Sequence, residues 1–417
     1  MKLPKKSVLL LLLGAVLLST SCFRRDGNRT VLLPYVQRLV SDTTSAQFDV
    51  LQRVNPKSKS GAITVLGEPT DVVRLTEALL RCDRFNNIDG SLSPDGLPDF
   101  AGEVIAPVLD AANAPYAPYM EAGNEEFLRE LHVRNFLSVM DTTCVFSPFD
   151  LEDRLPKPSA KVLVLASSLS AEYGEADIDT LCAIAGKPIP VVSSVGAMID
   201  NVLQAHAPDC HFAVWTVRDK LGAGIYSQAL RRAARSSSRI PTMWSFVPDS
   251  SETLRGRFLS LLDMYLAAGG TQPLSAIVVD EPYLQADTLD AIAVSLRNSD
   301  EVGYQKYRDL LAADFSAVDV NKAVTAWCFR TLRQTNGFTH RIAFPEVSAY
   351  LTVPAGGLPA DAYYQDGRLQ ETYKYNRAPV SDLITTRLVE CRQRYLDEET
   401  ARIIRQEASK TNAAYVR

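Results

Sequence analysis

Histidine is scarce in this chain: four in 417 residues, standing alone at positions 132, 206, 211 and 340. No two share metal-ligand spacing and no Cys-x-x-Cys pair accompanies them, so neither a metal site nor a metal-dependent hydrolase is supported, and no cofactor is expected. Basic runs are absent and the formal net charge is −5, which argues against nucleic acid as a partner. Beyond Leu18 no apolar run is long enough to span a bilayer. Of the seven cysteines, Cys82, Cys144, Cys182, Cys210, Cys328 and Cys391 lie in the body of the chain, and their spacing fixes no disulfide pairing.

The first residues are different. Met1–Lys6 carries three lysines, and Val8–Leu18 is apolar with Gly14 and Ala15 as its small residues. A basic start followed by an apolar run too short for a permanent span is the pattern of an export signal. It closes on Leu18-Ser19-Thr20-Ser21-Cys22, and small residues directly before a cysteine resemble the lipobox of bacterial lipoproteins, although Ser19 stands where that family prefers leucine. The resemblance implies a signal peptide over 1–22, lipidation of Cys22, and a soluble remainder tethered to a membrane surface. The alternative is an ordinary secretory signal cut nearby. Phe23 follows the cysteine, not the aspartate associated with inner-membrane retention, so the expected location is the cell envelope, anchored at the outer membrane.

Residues 23–61 read as a linker around one amphipathic piece, VLLPYVQRLV, and end in NPKSKSG. From Ala62 apolar runs alternate with helix-length amphipathic segments. Strands are predicted at 62–66, 162–166, 190–193, 212–217, 241–248 and 277–279, and helices at 71–81, 177–185, 195–206, 226–235, 251–268 and 286–296. This alternation means βα units and mainly parallel sheets, so the predicted class is α/β, with two lobes over 62–302. After Gly303, NGFTHRIAFP and YYQDGRLQETYKYN read as strands, the second turning on Asp366-Gly367. A charged helix is predicted from Asp382 to about Ser409, and 303–417 is expected to be a C-terminal α+β addition packed on the core.

Two stretches echo each other. VLVLASSLSAEYGEADIDTLCAIAG (162–186) and VVDEPYLQADTLDAIAVSL (278–296) each pass from an apolar strand through a polar crest with a tyrosine to Ala-Asp and a helix. Polar residues just past the C-terminal strand ends line the ligand crevice of a parallel sheet, and Ser167-Ser168 and Asp280-Glu281 hold that position. Asp280 and Glu281 are candidate general bases, because burial raises a carboxylate's affinity for protons. The plainer alternative is that they cap a helix, pair with a lysine or lie in water. Ser193, Ser194 and Thr216 stand near further strand ends as candidate ligand-binding residues. Gly222 and Gly224 in TVRDKLGAGIY precede a helix whose free N–H groups attract anions, with a helix-entry turn favoured over an anion site. Ser167 as a nucleophile lacks a nearby histidine and the Gly-x-Ser-x-Gly elbow. The loop FNNIDGSLSPDGLPDFAGE (85–103) offers Asp89, Asp95, Asp99 and Glu103, with turn chemistry favoured over a cation site. His340-Arg341 reads either as a base beside an anion-binding cation or as a strand-edge histidine with a surface arginine.

The order LASSLSAEYG, PIPVVSSVGAMIDNVL, FAVWT and GAGIYSQAL between Val162 and Leu230 resembles the middle of an aspartate/glutamate racemase. The resemblance covers at most 62–296 and implies two pseudo-symmetric halves; type I periplasmic binding proteins show similar alternation. In that family a cysteine at each of two crests removes and returns the α-proton. Here serines occupy one crest and carboxylates the other, so two-thiol racemisation is not expected.

Three functions fit these residues. The leading expectation is an envelope lipoprotein that binds a small polar or anionic metabolite in a crevice between the lobes. It needs no thiol pair, histidine base or metal. The second is an enzyme on the same scaffold (isomerase, lyase or hydrolase) with Asp280 or Glu281 as base. The third is a structural or assembly subunit at the membrane surface. The expected partners are a small-molecule ligand and, through Cys22, a membrane; no protein partner is indicated.

Overall fold

The computed structural model describes residues 32–149, 152–217, 224–234, 241–249, 253–281, 283–339, 341, 343–408 and 412–415. The signal over 1–22 with Cys22, and the candidates Gly222 and His340, lie outside the described residues. The chain divides into two compact units, Met1–Leu33 and Pro34–Arg417, and every element named below belongs to the second. Among the described residues no helix is long and apolar enough to cross a membrane.

Strands β1 (Ala62–Gly67), β2 (Val104–Leu109), β3 (Thr143–Val145), β4 (Arg154–Pro156), β5 (Ala160–Leu165) and β6 (Val191–Ser193) come first. Then follow β7 (His211–Thr216), β8 (Thr242–Phe246), β9 (Leu274–Asp280) and β10 (Leu311–Asp319), and finally β11 (Glu346–Val347), β12 (Tyr350–Pro354) and β13 (Thr386–Glu390). Among the described residues the helices of eight residues or more are α1 (Pro34–Ser41), α2 (Ala46–Arg53), α3 (Pro69–Arg81), α4 (Glu125–Met140), α5 (Glu175–Ala185) and α6 (Ser194–Ala205). They continue with α7 (Ile225–Ala233), α8 (Leu254–Ala267), α9 (Ala286–Arg297), α10 (Val320–Gln334) and α11 (Glu398–Glu407).

Every residue of β1 and of β5 is buried, as expected of parallel strands covered on both faces. One sheet runs β4-β3-β13-β12-β2-β1-β5-β6 with β11 beside β2, and the other runs β10-β9-β7-β8. The set β2-β1-β5-β6 and the whole second sheet are parallel. Counted from its own first strand, each set has the order 2-1-3-4. The chain therefore builds one α/β topology twice. The two echoing stretches are the third strand of each copy, β5 and β9, with the helices α5 and α9 that follow.

The C-terminal third is more deeply involved than an addition on the outside. Strand β10 is the fourth strand of the second copy, so that copy runs to Asp319, past the expected boundary at 302. Helix α10 then packs on α6 and α3. The chain returns to lay β12 parallel against β2, with β13 antiparallel beyond it. These strands cover an edge of β2 that would otherwise present unpaired N–H and C=O groups. NGFTHRIAFP contains no strand among its described residues, and the predicted hairpin at Asp366-Gly367 is a tight turn closed by one bridge, Tyr363 with Leu369. The predicted helix from 382 is instead β13 followed by α11, which starts where the Asp397 carboxylate accepts the Thr400 N–H. Within the expected linker, α1 and α2 are ordered helices that pack on α4, and α1 buries Tyr35, Val36 and Leu39.

Candidate functional site

In each copy the strand order reverses between the first and third strands, and the loops leaving those two strands diverge; in parallel sheets ligands bind at this point. The first sheet has its switch at Gly67-Glu68 and Ser167-Ser168, the second at Thr216 and Asp280. Approach is close at the first: the Glu68 N–H donates to Ser167 Oγ at 2.8 Å, and a Cβ on Gly67 would lie 2.7 Å from that same oxygen.

The two switch points meet. Ser168 donates its hydroxyl to Asp280 Oδ1 at 2.9 Å, and Tyr226 on α7 donates to Oδ2 at 2.7 Å. Thr216 Oγ1 shares a short hydrogen bond with the same Tyr226 hydroxyl. Asp280 is 3% exposed, so its carboxylate depends on these donors. Burial, and then the charge of Asp280, push the Tyr226 phenol well above its ordinary pKa, which keeps it a donor.

Glu281 has other partners. Trp215 Nε1–H donates to its Oε2 at 2.7 Å, and Arg257 pairs with that oxygen while stacking 4.9 Å from the Trp215 ring. It ties α8 to the ends of β7 and β9. Ser193 is the N-cap of α6, accepting the Gly196 N–H at 2.9 Å. The buried Ser194 hydroxyl has no hydrogen-bond partner among the described residues. Gly224 enters α7 with φ of 68°. Of the predicted residues, Ser168, Thr216 and Asp280 thus converge, whereas the Ser167, Ser193 and Glu281 side chains are engaged elsewhere. The open rim expected at Asp280-Glu281 is a closed seam, because the facing switch points satisfy each other's polar groups.

Sequence reasoning missed three residues. Tyr226 stood inside GAGIYSQAL, but no chemistry was assigned to it. Asp110, just past β2, is fully buried and accepts from Asn113 Nδ2 at 2.5 Å, Tyr116 Oη at 2.8 Å, Asn135 Nδ2 at 2.7 Å and Thr352 Oγ1 at 2.7 Å. Like Asp280 it is a strand-end carboxylate that accepts from a tyrosine, here one from the segment that follows the strand, whereas Tyr226 precedes Asp280 in the chain. Its signal was the strand end VLDAANAPY, masked by Pro107 inside β2. Buried His132 meets the Tyr116 ring edge-on at 5.0 Å and has Nε2 3.5 Å from Ser170 Oγ. Burial depresses its pKa to about 3, which keeps the imidazole neutral.

The acidic loop performs turn chemistry. Asp99 accepts the Arg84 and Phe85 N–H groups, Asp95 that of Asn87, and Asp89 that of Ser91. Glu103 forms a buried ion pair with Lys161. Among the described residues no group of His, Cys, Asp and Glu side chains is placed to hold a metal ion.

No family model matches the chain, and no curated protein matches it. Among solved structures it is similar to glutamate racemase RacE1 from Bacillus anthracis, at 13% identity over 70% of this chain and 88% of that one, with a TM-score of 0.38. The glutamate racemase of Francisella tularensis in complex with D-glutamate gives 13% identity, 70% and 89% coverage, and a TM-score of 0.39. That of Thermus thermophilus in complex with β-chloro-D-alanine gives 12%, 70% and 88%, and 0.37. The chemistry has to be read from this chain's own residues.

Proposed function

We propose that the seam between the two copies is a ligand site that opens, and that the protein binds a small polar metabolite there. The Ser168–Asp280 hydrogen bond supports this reading, since it joins the two switch points directly. A ligand amine or hydroxyl entering the seam takes the place of the Ser168 hydroxyl and leaves Asp280 satisfied. An anionic group on the same ligand is favoured near Gly224, at the N-terminal end of α7. Binding is preferred to catalysis because it asks only for this exchange of donors at Asp280, whereas turnover also needs a group that relays or returns the proton. With the lipobox-like start, the same reading puts the site at a membrane surface in the cell envelope, held by Cys22.

The test is saturation-transfer NMR in D₂O on the protein beginning at Phe23, with a pool of amino acids and small carboxylates. Saturation of one compound without turnover is expected, and Asp280→Asn or Tyr226→Phe should weaken its binding by about tenfold or more. Loss of an α-proton signal, or a new product, would make the protein an enzyme instead. A pool that shows neither would overturn the reading.

A further inference from the structure

A separate pocket of about 860 Å³ is framed by α2, α4, β3 and β4 and by residues 372–388, which lead into β13. Five arginines line it (Arg53, Arg134, Arg154, Arg377 and Arg387) against one carboxylate, Asp141. Three of these guanidiniums are matched: Arg53 with Asp49 at 3.3 Å, Arg134 with Glu130 at 2.6 Å, and Arg154 with Asp141 at 2.8 Å. Buried Arg377 gives its N–H groups to neutral acceptors, among them Thr385 Oγ1 at 2.7 Å, Asn113 Oδ1 at 2.8 Å and the Lys374 carbonyl at 2.9 Å. Arg387 has no ion-pair or hydrogen-bond partner among the described residues, and its Nε is buried. Burial, and then the nearby Arg154, disfavour its charge. A half-buried guanidinium without a counter-charge is costly, and a bound anion removes that cost.

The rest of the lining includes Phe127, Leu131, Leu383 and Ile384. Leu383 and Ile384 are 52% and 39% exposed, so the pocket carries unsatisfied apolar surface beside unsatisfied positive charge. Its volume lies within the range of small-molecule sites. Two of its lining residues connect it to the polar cluster around Asp110, just past β2. Asn135 lines the pocket and donates to Asp110, and Arg377 reaches Asp110 through Asn113.

We infer that this pocket binds an amphipathic organic anion, its carboxylate or phosphate head on the Arg387 guanidinium and its apolar body against Leu383 and Ile384. The site is independent of the seam. Titration calorimetry of the whole protein with decanoate, below its micelle concentration, tests it against three partial ligands. Decanol carries the body alone, while acetate and inorganic phosphate carry the head alone. Decanoate should bind at least about tenfold more tightly than any of them. Arg387→Ala should weaken decanoate binding by about tenfold or more, with Arg387→Lys intermediate, because lysine keeps the charge and loses the planar fork. Leu383→Asp, at an exposed position where folding is not at stake, should weaken it similarly. Decanol binding as tightly as decanoate would overturn the role of the head, inorganic phosphate doing so would overturn the role of the body, and no decanoate binding would overturn both.

Discussion

His132 is 1% exposed, so the imidazole folds neutral and resists protonation. An unfolded histidine takes its proton near 6.5, this one only near 3. Between those values the unfolded chain holds more protons than the folded one, so this contribution to stability is complete above pH 6.5 and is lost as pH falls toward 3. The loss between pH 7 and 5 should be about 2 kcal/mol larger in the native protein than in His132→Asn, read from urea midpoints at the two pH values. An equal loss in both would mean that the ring is solvated. At this scale, Asp280 was legible because it ends an apolar run, a place where a charge needs explaining. Its partners Ser168 and Tyr226 lie 112 and 54 residues away, and no local pattern announces such a contact. Asp110 was hidden because Pro107 argues against a central strand, yet Pro107 sits in register with Val65 in the middle of the first sheet.

At the scale of elements, the βα units from Ala160 to Arg297 were readable within a few residues, because each strand and each helix carries its own hydrophobic period. Thr386–Glu390 lies inside a charged stretch with no strand period of its own; pairing with β12 makes it a strand. The same distinction separates the serines. Ser193 has the N-cap geometry of α6, so Ser193→Ala should cost about 0.5–2 kcal/mol in thermal or urea unfolding. It should leave ligand affinity at the seam unchanged, whereas Ser168→Ala should alter that affinity. A Ser193→Ala protein of full stability would show that the cap contributes nothing.

For the whole molecule, the doubled 2-1-3-4 order explains why one sequence echo falls on two strands that end at the same seam. Packing, in turn, shapes the protein's redox behaviour. Cys82, Cys144, Cys182, Cys210, Cys328 and Cys391 are all buried and unpaired. Burial pushes the thiols of Cys82, Cys182 and Cys391 up to about 12. Protection therefore comes from packing, and at pH 8 a disulfide reagent should find these six thiols silent until denaturant is added, when all react together. A fast native burst from two or more of them would contradict this packing. The return of β12 to β2 has a consequence in time. Thr352 meets Asp110 across 242 residues, so a chain emerging N-terminus first displays the bare edge of β2 until the entire second copy has followed. At translation rates of about 5–20 residues per second that wait is roughly 10–50 s. For that interval the nascent chain offers an open strand to any neighbour, and a chaperone that shields β2 has the most to protect.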